Sequence, residues 1–131
     1  HDDSHLFSND ELLALKYVDV YAPKNAIVQS HPNNEKDNNV GYLSFFSKRL
    51  TYLSGVTFLE TRNQKISDKK IALKEMFEAT NASEFVRLAK DKKIQYIYLQ
   101  KVPGQRLRFP SDESLLKTIY ENKYITIIKP M

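Results

Sequence analysis

The clearest pattern in this chain runs from Lys69 to Gln100, where two stretches with helical spacing lead into one nearly continuous apolar run. In the first stretch Ala72, Leu73, Met76, Phe77 and Thr80 fall on one face. In the second, Asn81 is placed to cap and Glu84 to complete a capping box, and Phe85, Val86, Leu88 and Ala89 are expected to pack inward. The run Ile94 to Gln100 is apolar or aromatic at almost every position, which predicts a strand buried on both faces. Helices that feed a doubly buried strand belong to an α/β module.

The remaining pattern fits that module. Ser8-Asn9-Asp10-Glu11 reads as a capping box that opens a helix, with Leu13, Tyr17, Val20 and Tyr21 on its apolar face and Pro23 ending it. Ala26 to Gln29 is then a short buried strand, and His31 to Asn39 is a polar, Asn-rich loop. Tyr42, Leu43, Phe45 and Phe46 predict a short aromatic helix with Lys48-Arg49 at its C-terminal end. Leu50 to Glu60 reads as two extended pieces around Ser54-Gly55, and Arg62 to Asp68 as a loop. After the basic loop Lys101 to Pro110, a helix is expected beyond Ser111 with Leu115, Leu116 and Ile119 buried. Lys123 to Ile128 is a last strand, antiparallel to its neighbour at an edge. The expected architecture is a three-layer α/β sandwich: a small mixed sheet of three to five strands flanked by helices, in one domain spanning residues 1–131. Right-handed crossovers would bring Ala26–Gln29 beside Ile94–Gln100.

Composition narrows the chemistry. At 131 residues the chain can bury roughly two thirds of its unfolded surface, enough for a real core. No apolar run approaches the roughly 18 residues of a membrane span. His1-Asp2-Asp3 is acidic where a secretory leader is basic, so the stretch reads as part of a mature or excised chain. Without cysteine there is no disulfide, thiolate nucleophile or Cys-based zinc site. Gly41, Gly55 and Gly104 form no phosphate-cradling loop, which excludes dinucleotide and P-loop chemistry, and no cofactor is expected. His1, Asp2, Asp3 and His5 lie in a terminal tail that cannot hold metal ligands at fixed geometry. The acid pairs Asp10-Glu11 and Asp112-Glu113 are each explained by the first turn of a helix. His31 reads as a surface loop residue, and Asn81-Ala82-Ser83, formally a glycosylation acceptor, is explained by the cap. No catalytic set remains.

The formal net charge of +4 directs attention to the cations. Lys90, Lys92 and Lys93 end a helix, where positive charge is favoured. Lys101, Arg106 and Arg108 share a loop at the C-terminal end of the central strand, where ligands of open α/β sheets bind. Nothing interleaves tyrosines with cations in a nucleic-acid pattern, so no nucleic-acid partner is expected.

Four ordered phrases resemble the soluble C-terminal domain of membrane glycosyltransferases of the C-type (GT-C) class. They are Ala14-Leu15-Lys16-Tyr17-Val18 leading to Pro23-Lys24-Asn25-Ala26-Ile27-Val28, and Arg49-Leu50-Thr51-Tyr52-Leu53-Ser54-Gly55. They continue with Val86-Arg87-Leu88-Ala89 through Lys93 to Leu99, and Leu115-Leu116-Lys117-Thr118-Ile119-Tyr120-Glu121-Asn122 running to Lys129. The set spans about Glu11 to Lys129. The resemblance implies a non-catalytic, extracytoplasmic domain, because the family's catalytic carboxylate lies in its membrane portion. Its partners would be its own transmembrane portion and a lipid-linked sugar or anionic membrane surface. Arg49, Lys101, Arg106 and Arg108 are the expected anion or lipid-phosphate contacts. The chain has no tryptophan, hence no Trp-Trp-Asp motif of the kind oligosaccharide transferases carry. Two other readings are a free-standing binding module and, lowest, a small hydrolase using Asp10, His31 or Asp112.

Overall fold

The computed structural model describes residues 7–53 and 64–131. The acidic tail with His1 and His5, the second extended piece after Ser54, and Arg62-Asn63 therefore lie outside the described residues. The chain opens with α1 (Asn9–Tyr21), capped by the predicted reciprocal box: the Ser8 hydroxyl accepts from the Glu11 amide at 3.1 Å, and the Glu11 carboxylate accepts from the Ser8 amide at 2.9 Å. Then follow β1 (Ile27–Ser30), α2 (Glu35–Val40), α3 (Tyr42–Ser47) and β2 (Leu50–Thr51). The second half carries α4 (Gln64–Phe77), α5 (Ala82–Asp91), β3 (Tyr96–Gln100), a 3-10 turn at Pro103–Gln105, β4 (Leu116–Glu121) and β5 (Ile125–Pro130).

Among the described residues the strands form one mixed sheet in the order β2-β1-β3-β5-β4. β1 is parallel to both β2 and β3, with Val28, Gln29 and Ser30 opposite Tyr96, Ile97 and Tyr98. β5 runs antiparallel between β3 and β4. One face packs Ile97 and Leu99 against Leu73, Met76 and Phe77 of α4 and Phe85, Val86 and Ala89 of α5. The other packs Tyr96, Tyr98, Ile125 and Ile127 against Ala14, Leu15 and Val18 of α1 and Tyr42 and Leu43 of α3. This is the expected three-layer sandwich. The layers follow from connection handedness. The chain steps one way along the sheet from β1 to β2 and back past β1 to reach β3, so right-handed connections must use opposite faces. Helices α2 and α3 take one face, α4 and α5 the other.

Six local expectations are corrected. The polar segment after His31 contains α2, a helix too short to stand alone, held by tertiary bonds. Asn34 caps it, accepting from the Asp37 amide at 3.1 Å, and the buried Asp37 carboxylate accepts from the Ser30 hydroxyl at 2.6 Å and the Leu43 amide at 2.9 Å. Gly41 ends α2 with a left-handed φ of 65° and leads directly into α3. Helix α4 already begins at Gln64, within the expected loop. The segment expected to be a helix after Ser111 is strand β4, because β5 offers it a ladder from Leu116↔Pro130 to Glu121↔Thr126. It also takes the sheet edge that β5 was expected to occupy. In α1 the buried face is Glu11, Ala14, Leu15 and Val18, whereas Leu13, Val20 and Tyr21 are exposed. The Glu84 side chain does not close a capping box but pairs with Arg87; Asn81 alone caps α5, accepting from the Glu84 amide at 2.8 Å.

Candidate functional site: a basic crevice at the strand ends

Strands β1 and β3 are parallel neighbours, so their C-terminal ends open on the same edge of the sheet. From β1 the chain passes to α2 and α3 on the α1 face. From β3 it passes to the loop Lys101–Pro110, whose Leu107 and Phe109 pack on the α4/α5 face. Where two adjacent parallel strands send their chains to opposite faces, a crevice must open between the two loops. Here it measures about 430 Å³ and is lined by His31, Asn33, Lys74, Glu78, Arg106 and Arg108.

The two walls are tied together. The Asn33 side-chain amide donates to the Gly104 carbonyl at 2.7 Å. On the β3 side, Gln105 is buried and braces its own loop: its side chain accepts from the Gln100 amide at 2.9 Å and donates to the Gln100 side chain at 2.6 Å. His31 is buried behind the crevice, with its ring 4.6 Å from that of Phe77. Its Nδ1 accepts from the Asn33 amide at 2.9 Å, which leaves the proton on Nε2. Burial, and then the positive charge of Arg108, lower its pKa from 6.5 to about 4, so the ring is neutral near pH 7.

Arg106, Arg108 and Lys74 are exposed at the crevice, and among the described residues none of the three makes a side-chain hydrogen bond or ion pair. The Glu78 carboxylate stands at the same rim, likewise without a partner among the described residues. Three unneutralised cations stand against one carboxylate, beside a neutral N–H donor, which gives the crevice a local excess of positive charge.

Of the expected anion contacts, the structure brings Arg106 and Arg108 together here. Lys101 does not line the crevice: it pairs with Glu121 at 2.7 Å and lines a neighbouring groove with Leu99 and Phe109, which Arg106 also borders. Arg49 does not line the crevice: its side chain is fully enclosed. Its guanidinium donates to the carbonyls of Val18, Asp19 and Ala22 at the end of α1, to Pro23, and to Ser47 and Lys48 at the end of α3. It closes two helix C-termini whose last carbonyls would otherwise be orphaned. The expectation that Arg49 contacts a ligand is corrected on that ground. Lys74, Asn33 and His31 join the site instead. His31 and Asn33 come from the loop after β1 and Lys74 from α4, so sequence spacing carried no signal that joins them to Arg106 and Arg108 beyond the strand-end rule itself.

The three residues of the hydrolase reading do not meet. His31 lies at the crevice, Asp112 lines the other groove and accepts from the Ser114 amide and hydroxyl, and Asp10 sits in the first turn of α1. Among the described residues no cluster of three or more His, Asp or Glu could hold a metal ion, and no helix is long and apolar enough to cross a membrane.

Comparison with known proteins gives one kind of answer. No family model matches the chain, and no curated protein matches it in sequence. In three dimensions it resembles the C-terminal globular domain of the oligosaccharyltransferase from Archaeoglobus fulgidus, with a TM-score of 0.59 at 10% identity. The match covers 95% of this chain and 99% of that domain. The likeness is one of fold. It agrees with the glycosyltransferase resemblance at the level of the α/β fold. At so low an identity it carries no residue across.

Proposed function

We propose that this chain is a non-catalytic, extracytoplasmic domain of a membrane glycosyltransferase, where it assists the binding of an acceptor or a lipid phosphate, or packs against the membrane portion. The observation that carries this reading is coverage. The fold likeness takes in nearly the whole of both chains, so the neighbour is a complete domain of the same extent and not a shared substructure. The ordered phrases from Glu11 to Lys129 add a second, independent reason. Without tryptophan the chain has no Trp-Trp-Asp motif, and in this it departs from the oligosaccharide transferases.

The test is an immunoblot of fractionated cells with an antibody to this domain. A band well above 15.3 kDa that resists carbonate extraction is the expected result. The purified 131-residue protein is expected to turn over no glycosyl donor. A band of about the domain's own size in the soluble fraction would overturn the reading. It would favour the alternative, a free-standing ligand-binding module, for which one observation speaks: the crevice is built wholly from this chain.

A further inference from the structure

The crevice at the ends of β1 and β3 allows its ligand to be named by chemical class. We propose that it binds a phosphate group carrying two negative charges, clamped by Arg106 and Arg108, with Lys74 as a third cation and the Nε2–H of His31 as an uncharged donor. This rests on the proposed function for the source of such a ligand, and on the crevice itself for what the ligand is.

Charge decides the class. Three cations and one carboxylate line the crevice, leaving an excess close to that of a phosphate dianion. A carboxylate ligand would leave part of it uncompensated. Two guanidinium forks present planar, bidentate donors suited to tetrahedral phosphate oxygens. Cations that already had acidic partners would have to break them on binding; Arg106, Arg108 and Lys74 have none among the described residues. Glu78 repels a second anion at the rim and accepts from a hydroxyl, which favours a single phosphate on a hydroxylated group over a polyphosphate or a nucleic-acid backbone. The site is also held in shape before any ligand arrives. The Asn33–Gly104 bond joins its walls, and the Asn33 amide fixes the His31 tautomer.

The probes are inorganic phosphate, glucose 1-phosphate, and phosphatidylcholine vesicles doped with phosphatidic acid, whose headgroup is a phosphate monoester. Calorimetry with the first two and vesicle sedimentation with the third separate a free phosphate from a lipid one. R106S/R108S is expected to weaken binding at least about tenfold. Both side chains are exposed and unpaired, so this variant keeps its fold. The control removes the same charge at the opposite end of the sheet, where Lys90 and Lys93 line another cleft. There K90S/K93N uses asparagine because position 93 has a left-handed φ of 60°, and it is expected to leave affinity unchanged. Binding of either free probe with this pattern supports a soluble ligand; binding of the vesicles alone with this pattern supports a lipid headgroup. Absence of binding to all three, or equal weakening by the two double variants, overturns the inference. A large, carbonate-resistant band together with absent phosphate binding would remove this site while leaving the glycosyltransferase reading in place.

Discussion

The side-chain amide of Asn33 donates to the carbonyl oxygen of Gly104 at 2.7 Å, across 71 positions of sequence. It joins the loop leaving β1 to the loop leaving β3, and the basic crevice lies between those loops. An exposed hydrogen bond of this kind contributes little to global stability, on the order of 1 kcal/mol or less. Its value is local, because it limits how far the two walls can separate.

Asn33→Ala should therefore leave the urea midpoint almost unchanged while loosening the β3 loop. The Gln105 amide, which donates to Val102 at 3.0 Å, is the reporter. Faster hydrogen exchange at that amide in the variant is the expected result. Unchanged exchange would show that the Gln105 brace holds the loop without help from the other wall.

His31 makes stability depend on pH. Its folded pKa, about 4, lies below its ordinary 6.5, so between those values the unfolded chain binds the proton that the folded one refuses. Its contribution is complete above about pH 6.5, declines as pH falls towards 4, and is constant below that. Two and a half units correspond to roughly 3 kcal/mol at most. Asp37 has the opposite sign, since burial raises its carboxyl pKa and protonation relieves the folded state in acid. Comparison with His31→Gln isolates the histidine: urea unfolding at pH 7.5 and 4.5 should show the larger loss in the wild type. Equal losses in the two proteins would mean that the ring titrates normally.

Arg49→Ala should cost about 3–5 kcal/mol, because it strips the donors from the carbonyls that end α1 and α3. Arg49→Lys keeps the charge but not the fork, and should fall between. Chemical denaturation measures both. A wild-type midpoint in Arg49→Ala would refute the capping role, and on the folded fraction neither variant should alter phosphate affinity.

The α/β class, the α1 capping box and the adjacency of β1 and β3 were legible in the sequence because each rests on local or strongly repeated signals. A four-residue cap needs only its own neighbours, and an apolar run such as Ile94 to Leu99 has few stable places outside a sheet centre. The β4 hairpin had a signal that helical spacing masked. Lys117-Thr118-Ile119-Tyr120 is β-prone, and Asn122 follows it as a turn residue, accepting from the Tyr124 and Ile125 amides at 3.0 and 2.9 Å. Leu115, Leu116 and Ile119 also fit a helix, and the choice went to the form that could pair with β5.

The α1 face shows the limit of periodicity. Leu13, Tyr17, Val20 and Tyr21 follow a helical repeat as well as Ala14, Leu15 and Val18 do, so the pattern establishes a helix without saying which side is covered. Tyr17 finds partial cover by packing 4.9 Å from Tyr120, a residue of the edge strand that was itself expected to be helical.

By itself, then, the sequence determined the layers, the central parallel pair and the presence of spare cations near its C-terminal edge, since these follow from apolar period, chain direction and charge count. Only the tertiary structure decided which cations are spare. Arg49 and Arg106 are chemically identical in the sequence, yet one is enclosed against helix-end carbonyls and the other stands open beside Arg108. The difference is set by which backbone groups each guanidinium meets after the chain has folded, and for Arg49 those at the end of α1 lie tens of residues away.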